Sequence, residues 1–354
     1  MRIAIDNIIF QLQKGRHRGV SRIWANILPY LRDMLKDKHE LTILLREDSE
    51  QNTYGIESLS IPKYIIGSRD ADAKMLTSVC KKLKTDLFIT TYQTRVNDIK
   101  SFVMVYDLIP EILGWLPRSQ EAVSRKEAYL SADILACISK NTKKDLCSWY
   151  DMSTKQVEMV YLGVSSNNFH PLPAHIDPRF TKKFGLESDY LVLDGCISEE
   201  VAETFCKAFS SLNTNFKLFS YGGALKKVVA TSCEKYNIPY RAAGFLSDKE
   251  VLMALAGSKG LIFLSPYEGF GLPVLEAMAC KIPVLCSDTS SLPEIGREYV
   301  HYFTDSSYMG IQNALSSFFN DENKQLVENA FARSQTFTWQ KTAKKIAGIL
   351  NAGK

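Results

Sequence analysis

The chain has 354 residues, enough for about two domains that each bury a core. Its 45% hydrophobic and 23% charged residues are typical of a globular protein, and no apolar run approaches the ~18 residues of a membrane-spanning helix. The net charge of +4 lies within residues 1–165, with 24 Lys and Arg against 20 Asp and Glu. This excess suits an anionic membrane surface, a phosphorylated partner or an ordinary solvated surface.

The first half of the chain alternates short apolar runs with helical or loop segments. The N-terminal run MRIAIDNIIFQLQ predicts a first strand rather than a signal sequence, because Asp6 and Asn7 interrupt it and no small-residue cleavage site follows. Later runs are rich in β-branched residues and predict parallel strands buried on both faces. They read LTILLR, DLFITTY, FVMVYDLI and ILACIS.

A stretch rich in Pro, Asn and Ser, YLGVSSNNFHPLPAHIDPRF, predicts a linker between two domains. The strand pattern restarts after it, at YLVLDGCI, FKLFSYGG, LIFLS and IPVLCS. We therefore expect two α/β domains, with residues 1–166 in the first and residues 167–335 in the second.

The residues that mark the start and end of helices are clearest in the second half of the chain. Ser247 and Glu250 form the spacing of a capping box, and Gly257 stands at the other end of that helix. A strand at Leu261 to Leu264 is followed by a glycine-bearing turn and by a helix that Pro273 begins. Because ligands of parallel sheets bind outside the carboxyl ends of the strands, this turn is a candidate site.

Two glutamates, Glu268 and Glu276, flank this turn. Gly269 and Gly271 allow close approach of a ligand, and the helix N-terminus favours an anion. Carboxylates suit such a place if they accept hydrogen bonds from hydroxyls elsewhere on the ligand, as in a sugar joined to a nucleotide by diphosphate. The alternative is a pair of solvated residues stabilised by the helix dipole.

The eight cysteines are scattered without a C-x-x-C pair or a histidine at metal-ligand spacing. They are typical of buried thiols in a reducing cytoplasm, so we expect no metal site. The basic residues are not interleaved with aromatic residues in a stripe, so we expect no nucleic-acid partner.

The run SPYEGFGLPVLEAMACKIPVLCSDTSSLPE resembles the signature of retaining glycosyltransferases of the GT4 (group 1) family, with seven residues between its two glutamates. Similar matches are RGVSRIWANIL, VYDLIPEI, SADILACISKNTKKDLCSWYDMSTKQVEMVYLGV and TFTWQKTAKKIAGIL. The resemblance implies an α/β GT-B fold, two Rossmann-like domains facing each other across a cleft. It also implies that a C-terminal helix within residues 336–354 crosses back to the first domain.

The resemblance implies a role for each matching residue. Glu268 would bind hydroxyls of the donor sugar, and Glu276 would hold the ribose. The backbone amides of Gly269, Phe270, Gly271 and Leu272 would face the sugar and diphosphate, and the loop at Gly19 would approach the phosphate. Gly244 and Phe245 would contact the base, although Phe245 is equally suited to a core, and Gly19 to a plain turn. Gly222 and Gly223 follow a strand, where a tight turn is the first interpretation and ligand proximity the second.

Two departures from the family pattern stand out. Glu199 and Glu200 occupy the place where an Arg and a Lys usually bind the diphosphate, which leaves Lys226 and Lys227 as substitutes unless they are only solvated. Tyr106 replaces a histidine that approaches the donor sugar; its hydroxyl can donate a hydrogen bond but does not titrate near neutrality. Asp107 is retained beside it as a catalytic candidate or a strand-end cap.

The predicted activity is transfer of a sugar from a nucleotide diphosphate to a glycan or lipid-linked acceptor in surface polysaccharide or glycoconjugate synthesis. The resemblance implies that no metal or other cofactor is required. The basic segment KGRHRGVSR is expected on the acceptor side, where it contacts phosphates or lipids; a flexible surface loop is the alternative. The protein is expected to be cytoplasmic and peripheral to the membrane. Two alternatives remain: a catalytically silent partner of an active transferase, which the acidic pair favours, and a sugar-nucleotide epimerase. The acceptor-side residues are Arg16, His17, Arg18 and Arg22.

Overall fold

The computed structural model describes residues 1–14, 19–114, 120–172, 177–195, 198–212, 214–222, 226–320 and 324–352, without the side chains of residues 120–122, 156, 226 and 227. The chain forms two compact units. The first comprises Met1–Gly163 and Thr338–Lys354, and the second is Val164–Phe337. The boundary lies at residue 163, near the position 166 predicted from the linker composition.

The first unit is built on a parallel sheet with the strand order β3-β2-β1-β4-β5-β6-β7. Its strands are β1 (Arg2–Asp6), β2 (Glu40–Arg46), β3 (Glu57–Ile61), β4 (Leu87–Thr90), β5 (Lys100–Val105), β6 (Ile134–Cys137) and β7 (Val157–Met159). Its helices in this part of the chain are α1 (Ile8–Leu12), α2 (Val20–Leu35), α3 (Arg69–Lys82), α4 (Ile109–Ile112), α5 (Gln120–Ser131) and α6 (Lys140–Trp149).

The second unit repeats this plan with a parallel sheet of the order β10-β9-β8-β11-β12-β13. Its strands are β8 (Tyr190–Asp194), β9 (Lys217–Ser220), β10 (Tyr240–Ala242), β11 (Leu261–Phe263), β12 (Val284–Ser287) and β13 (His301–Phe303). Its helices are α7 (Pro178–Phe184), α8 (Glu199–Ser210), α9 (Lys226–Lys235), α10 (Asp248–Ala256), α11 (Leu272–Ala279), α12 (Leu292–Gly296), α13 (Tyr308–Asn320) and α14 (Lys324–Ser334).

The last helix, α15 (Trp339–Ala352), belongs to the first unit and packs against α2. Trp339, Ile346 and Leu350 are buried on it. Gly163 lies so close to this helix that a Cβ there would be 2.2 Å from the Trp339 nitrogen. Only glycine fits at this position without displacing the backbone of α15.

Both sheets bury their central strands as the apolar runs predict. The four strands that the sequence pattern missed, β3, β7, β10 and β13, are edge strands. An edge strand has a neighbour on one side only, and β3 is exposed at four of its five residues. Such strands lack the continuous apolar run on which the prediction depends.

The capping box of α10 is confirmed, because Ser247 Oγ accepts from the Glu250 N–H and the Glu250 carboxylate accepts from the Ser247 N–H. None of the described helices is both long and apolar enough to cross a membrane. Seven cysteines are described, and all are buried free thiols, whereas Cys196 lies outside the described residues. No group of three or more potential metal ligands was found among the residues that the structure describes.

Candidate active site

The candidate site lies at one edge of the second sheet. All strands of this sheet run parallel, so the loops that follow β8, β9, β10, β11 and β12 emerge at the same edge. These loops carry most of the donor-binding residues predicted from the sequence. This edge is the place where parallel α/β sheets bind ligands.

The loop after β11 requires glycine where α11 begins. Gly271 has a left-handed φ of +97°, and a Cβ on it would lie 2.6 Å from Leu292 Cδ2. Leu272 is the first helical residue and Pro273 the second, which suits proline because the N–H groups of the first turn lack intrahelical partners. The N-terminus of α11, with its partial positive charge, therefore begins at the carboxyl edge of the sheet.

The two glutamates differ in environment. Glu276 lies on α11 and is only 3% exposed, whereas Glu268 lies in the preceding loop and is half-buried. Burial of a carboxylate is costly unless it is bonded, so the interpretation of Glu276 as a solvated surface residue is wrong. The Phe270 ring between them packs edge-on against Phe337 at 5.9 Å between centroids, so only its backbone is suited to ligand contact.

Hydroxyl side chains at the end of β12 and in the loop after it hold the loop after β11. Ser290 Oγ accepts a 2.9 Å hydrogen bond from the Glu268 N–H, and Ser291 Oγ donates at 2.9 Å to the Glu268 carbonyl oxygen. Ser287 and Thr289 donate to the carbonyl oxygens of Ser265 and Pro266. We call Ser287, Thr289, Ser290 and Ser291 the hydroxyl clamp. Sequence reasoning missed it, although the letters SDTSS were part of the recognised signature.

The loops after β9 and β10 contact each other. The Gly222 N–H donates a 2.6 Å hydrogen bond to the Gly244 carbonyl oxygen. The left-handed φ of +91° supports the tight-turn interpretation of Gly222. Phe245 follows Gly244 and is 57% exposed, so it is not a core residue and its ring is accessible at this edge. Gly223 and the side chains of Lys226 and Lys227 lie outside the described residues.

The acidic pair opens α8 directly after β8. Glu199 and Glu200 are exposed in the first helical turn, and Ser198 Oγ caps that turn by accepting from the Val201 N–H. Carboxylates at this end of a helix stabilise it through the helix dipole. Gly195, between β8 and α8, has a φ of +114°, and a Cβ on it would lie 2.7 Å from the Ser265 nitrogen. The loops after β8 and β11 are thus in close contact.

In the first domain, the structure gives the Tyr106 hydroxyl a different role from the predicted one. The hydroxyl accepts a 2.6 Å hydrogen bond from Trp24 Nε1 and donates at 2.9 Å to the Thr91 carbonyl oxygen. Tyr106 is only 6% exposed, and burial raises its pKa far above the ordinary value. Its single proton is used inside the domain, which corrects the expected donation to a donor sugar.

Asp107 caps the short helix α4. Its Oδ1 accepts a 3.0 Å hydrogen bond from the Ile109 N–H and lies 3.2 Å from Arg125 Nη2. Arg125 is buried and also binds Glu111 at 2.9 Å. These contacts support the strand-end cap interpretation of Asp107, while its carboxylate keeps partial exposure of 26%.

Gly19 begins α2 with a left-handed φ of +53°, and the Gln13 side chain caps the same helix by accepting from the Ser21 N–H at 3.0 Å. A plain turn is therefore enough to explain the left-handed conformation of Gly19. Arg22 lies on the first turn of α2 and is half-buried. The other predicted acceptor-side residues, Arg16, His17 and Arg18, lie outside the described residues.

Comparison with known families gives the site a context. Residues 196–333 match the family model described as glycosyl transferases group 1. This match lies within the second unit. The matched residues include both glutamates, the turn before α11 and the hydroxyl clamp.

Known proteins are similar to parts of the chain. It is 46% identical over 55 residues to O-antigen chain mannosyltransferase B of Escherichia coli, covering 16% of this chain and 14% of that protein. It is 30% identical over 116 residues to a GDP-mannose-dependent α-(1-6)-phosphatidylinositol dimannoside mannosyltransferase of Mycobacterium tuberculosis, covering 32% and 30%. The matches thus span less than a third of the length of either relative.

The similarity to solved structures extends over the whole chain. The Anabaena protein HepE in complex with UDP and glucose superposes with a TM-score of 0.74 at 17% identity, covering 99% of this chain and 100% of that one. This likeness confirms the predicted fold class, two Rossmann-like α/β domains as in GT-B glycosyltransferases.

Proposed function

We propose that the protein is a retaining glycosyltransferase that moves a sugar from a nucleoside diphosphate to a glycan or lipid-linked acceptor in surface polysaccharide or glycolipid synthesis. The observation that carries this proposal is the arrangement at the edge of the second sheet. Glu268 lies in the loop before the N-terminus of α11, and Glu276 is buried on α11 itself.

This arrangement suits a ligand with hydroxyls at both ends and charge in the middle. The N-terminus of α11 would stabilise the diphosphate with backbone N–H groups and the helix dipole. Glu268 would accept hydrogen bonds from the sugar hydroxyls and Glu276 from the ribose, because an ionised carboxylate only accepts. The exposed ring of Phe245 would contact the base at the same edge.

The proposed reaction retains the anomeric configuration without an enzymic nucleophile. The bond from the anomeric carbon to the diphosphate breaks, the diphosphate leaves with the electron pair, and the acceptor hydroxyl attacks on the same face. The fixed dipoles at α11 stabilise the charge that develops on the leaving group. The acceptor proton passes to the departing diphosphate, so the step needs no metal or other cofactor.

A catalytically silent partner of another transferase is the second candidate, and the acidic first turn of α8 favours it. Glu199 and Glu200 are exposed at the edge where a diphosphate would lie. At about 4 Å in surroundings like a protein surface, each like-charge pair would cost a few kcal/mol. Such a protein would bind nucleotide sugars weakly and would turn none of them over.

Release of nucleoside diphosphate from a panel of nucleotide sugars tests the proposal. GDP-mannose comes first, because the relatives described above are named mannosyltransferases. We expect Glu268→Gln to lower the release at least tenfold, since a hydrogen bond to a charged group contributes about 1.5–3 kcal/mol. Glu298→Gln is the matched control, because Glu298 precedes β13 and so lies toward the opposite end of the sheet. Absence of turnover with every donor, in the presence of candidate acceptors, would refute the transferase proposal.

We also propose a cytoplasmic location with peripheral contact to the membrane through the basic first domain. The net positive charge of residues 1–165 would attract anionic lipid headgroups, and salt would weaken this attraction. Sedimentation with vesicles of anionic lipid tests the contact. Equal binding to neutral vesicles would contradict it.

A further inference from the structure

The first domain contains a cavity of about 240 Å³ at the carboxyl edge of its sheet. Ile8 after β1, Tyr64 after β3 and Tyr92 after β4 contribute to its wall. All of its described lining residues belong to the first unit. The volume is below the ~300–1,000 Å³ of sites for drug-sized ligands, so the cavity suits a single ring.

Two buried hydrogen-bond donors line this cavity without a partner among the described residues. They are Gln93 Nε2 and Arg69 Nη1. Arg69 Nη1 lies 3.6 Å from Glu127 Oε1, which is an ion-pair distance but too long for a hydrogen bond. Buried donors in folded proteins are nearly always bonded, so both atoms call for acceptor oxygens from a ligand.

The wall is held in place by bonds that do not involve a ligand. The Gln11 side chain donates to the Tyr64 carbonyl oxygen at 2.9 Å and accepts from the Tyr64 N–H at 2.8 Å. The lining residue Asp72 is ion-paired at 2.5 Å with the fully buried Arg46. The lining residue Thr94 donates at 2.7 Å to Asp6 Oδ2. The cavity is thus preformed, which lowers the entropic cost of binding.

The described wall is balanced in charge and mixed in polarity. Arg69 and Arg95 are matched by Asp72 and Glu127, and Glu127 lies within 3.6 Å of one nitrogen of each arginine. A net positive field, which a phosphate or carboxylate would need, is absent from this set of described residues. Aromatic and aliphatic side chains supply the apolar part of the wall. An uncharged ring with hydroxyls along its edge and an apolar face fits these properties.

We propose that this cavity holds one uncharged sugar ring of the acceptor. Gln93 Nε2 and Arg69 Nη1 donate hydrogen bonds to hydroxyl oxygens of the ring, while Tyr64 and Tyr92 contact its apolar face. The assignment of this ring to the acceptor rests on the transferase activity proposed above. Binding of a neutral sugar ring in the cavity is independent of that activity.

The decisive variant is Gln93→Gly, because Gln93 has a left-handed φ of +56° that glycine adopts without strain. The change removes a donor and relieves the backbone, so we expect no fall in the thermal midpoint and about a tenfold loss of affinity for the sugar. Lys84→Gly is the matched control, since Lys84 is left-handed with a φ of +53° in the same domain and is not among the cavity residues. Arg69→Met is a second variant that keeps the apolar stem and removes the other donor.

Binding is measured by calorimetry with methyl glycosides of neutral hexoses and, in parallel, with a uronic acid and inorganic phosphate. The proposal predicts that a neutral glycoside binds the wild type and Lys84→Gly equally, and binds Gln93→Gly and Arg69→Met more weakly. It is overturned if no neutral glycoside binds, if the charged ligands bind instead, or if Gln93→Gly binds like the wild type. Glycoside binding without donor turnover would refute the transferase proposal alone and would still support the ring site.

Discussion

The backbone N–H of Glu268 donates a 2.9 Å hydrogen bond to the Oγ of Ser290, and the next residue, Ser291, binds the carbonyl oxygen of the same glutamate. The main chain of Glu268 is therefore held on both sides by the hydroxyl clamp. A functional side chain must keep its position within ~0.5 Å to be effective. Ser290 and Ser291 are thus positioning residues for the proposed sugar contact.

Ser290→Ala should weaken this positioning. The variant loses the acceptor of the Glu268 N–H and keeps a left-handed φ of +53°, so we expect the free energy of unfolding to fall by about 1–2 kcal/mol. Donor turnover should fall more than donor affinity. Thermal unfolding and steady-state kinetics measure the two effects. Ser210→Ala, at the exposed end of α8, is the control, and equal behaviour of the two variants would refute the positioning role.

Gly271→Ala should destabilise the second domain by about 2–4 kcal/mol. A Cβ there would lie 2.6 Å from Leu292 Cδ2, and the φ of +97° is unfavourable for alanine. The control is Gly348→Ala in the interior of α15, where the new Cβ would meet nothing within 4 Å. That change should stabilise the protein by about 0.5–1 kcal/mol, because alanine is the better helix former. Chemical denaturation of both variants would show opposite shifts; shifts of the same sign would contradict the prediction.

Phe245→Ala should weaken nucleotide binding without loss of stability. The ring is 57% exposed, so little packing is lost, while stacking of an aromatic ring on a base contributes about 1–3 kcal/mol. We therefore expect the Kd for the nucleoside diphosphate to rise about fivefold to a hundredfold. Trp149→Ala removes another exposed aromatic ring, 53% exposed in the first domain, and should leave the Kd unchanged. Equal affinities of the wild type and Phe245→Ala would exclude the base contact.

Glu250 should make the stability of the second domain dependent on pH. The hydrogen bond from the Ser247 N–H lowers the pKa of this carboxyl below its ordinary 4.5, and Lys183 lowers it further. Because this pKa is lower in the folded state, the ionised carboxylate of Glu250 stabilises the fold above about pH 4.5. This contribution disappears as the pH falls through the folded-state pKa.

Glu250→Gln keeps an oxygen acceptor for the cap and removes the charge. Its thermal midpoint should lie below that of the wild type near neutrality and should converge with it in acid. Glu187→Gln, at an exposed glutamate before β8, serves as the control. A gap between wild type and Glu250→Gln that does not change with pH would count against this assignment.

The sequence was sufficient to predict both sheets in their centres but not at their edges. Central strands such as β1 and β11 are buried on both faces, so their apolar runs stand out. The edge strand β3 is exposed for most of its length, and the edge strand β10 has only three residues. Hydrogen bonds to the neighbouring strand, rather than burial of side chains, define both of them.

In the candidate site, backbone requirements could be predicted and side-chain contacts could not. The glycine at position 271 follows from a turn into a helix, whereas the packing of Phe270 against Phe337 depends on a residue far along the chain. Tyr106 shows the same limit: its partners Trp24 and Thr91 lie on other elements, and no local pattern indicates them. Gln93 Nε2, which has no hydrogen-bond partner in the part of the chain that the structure describes, could not be predicted either, because a buried unsatisfied atom is a property of the folded domain.

The return of α15 to the first domain determines the order in which the chain can mature on the ribosome. Residues 1–163 are synthesised first, yet the face of α2 that packs against α15 stays uncovered until Trp339–Ala352 has been made. The second domain is continuous in sequence and needs no later segment. The first domain therefore cannot be completed until α15 has been made, and until then the apolar face of α2 lacks its packing partner.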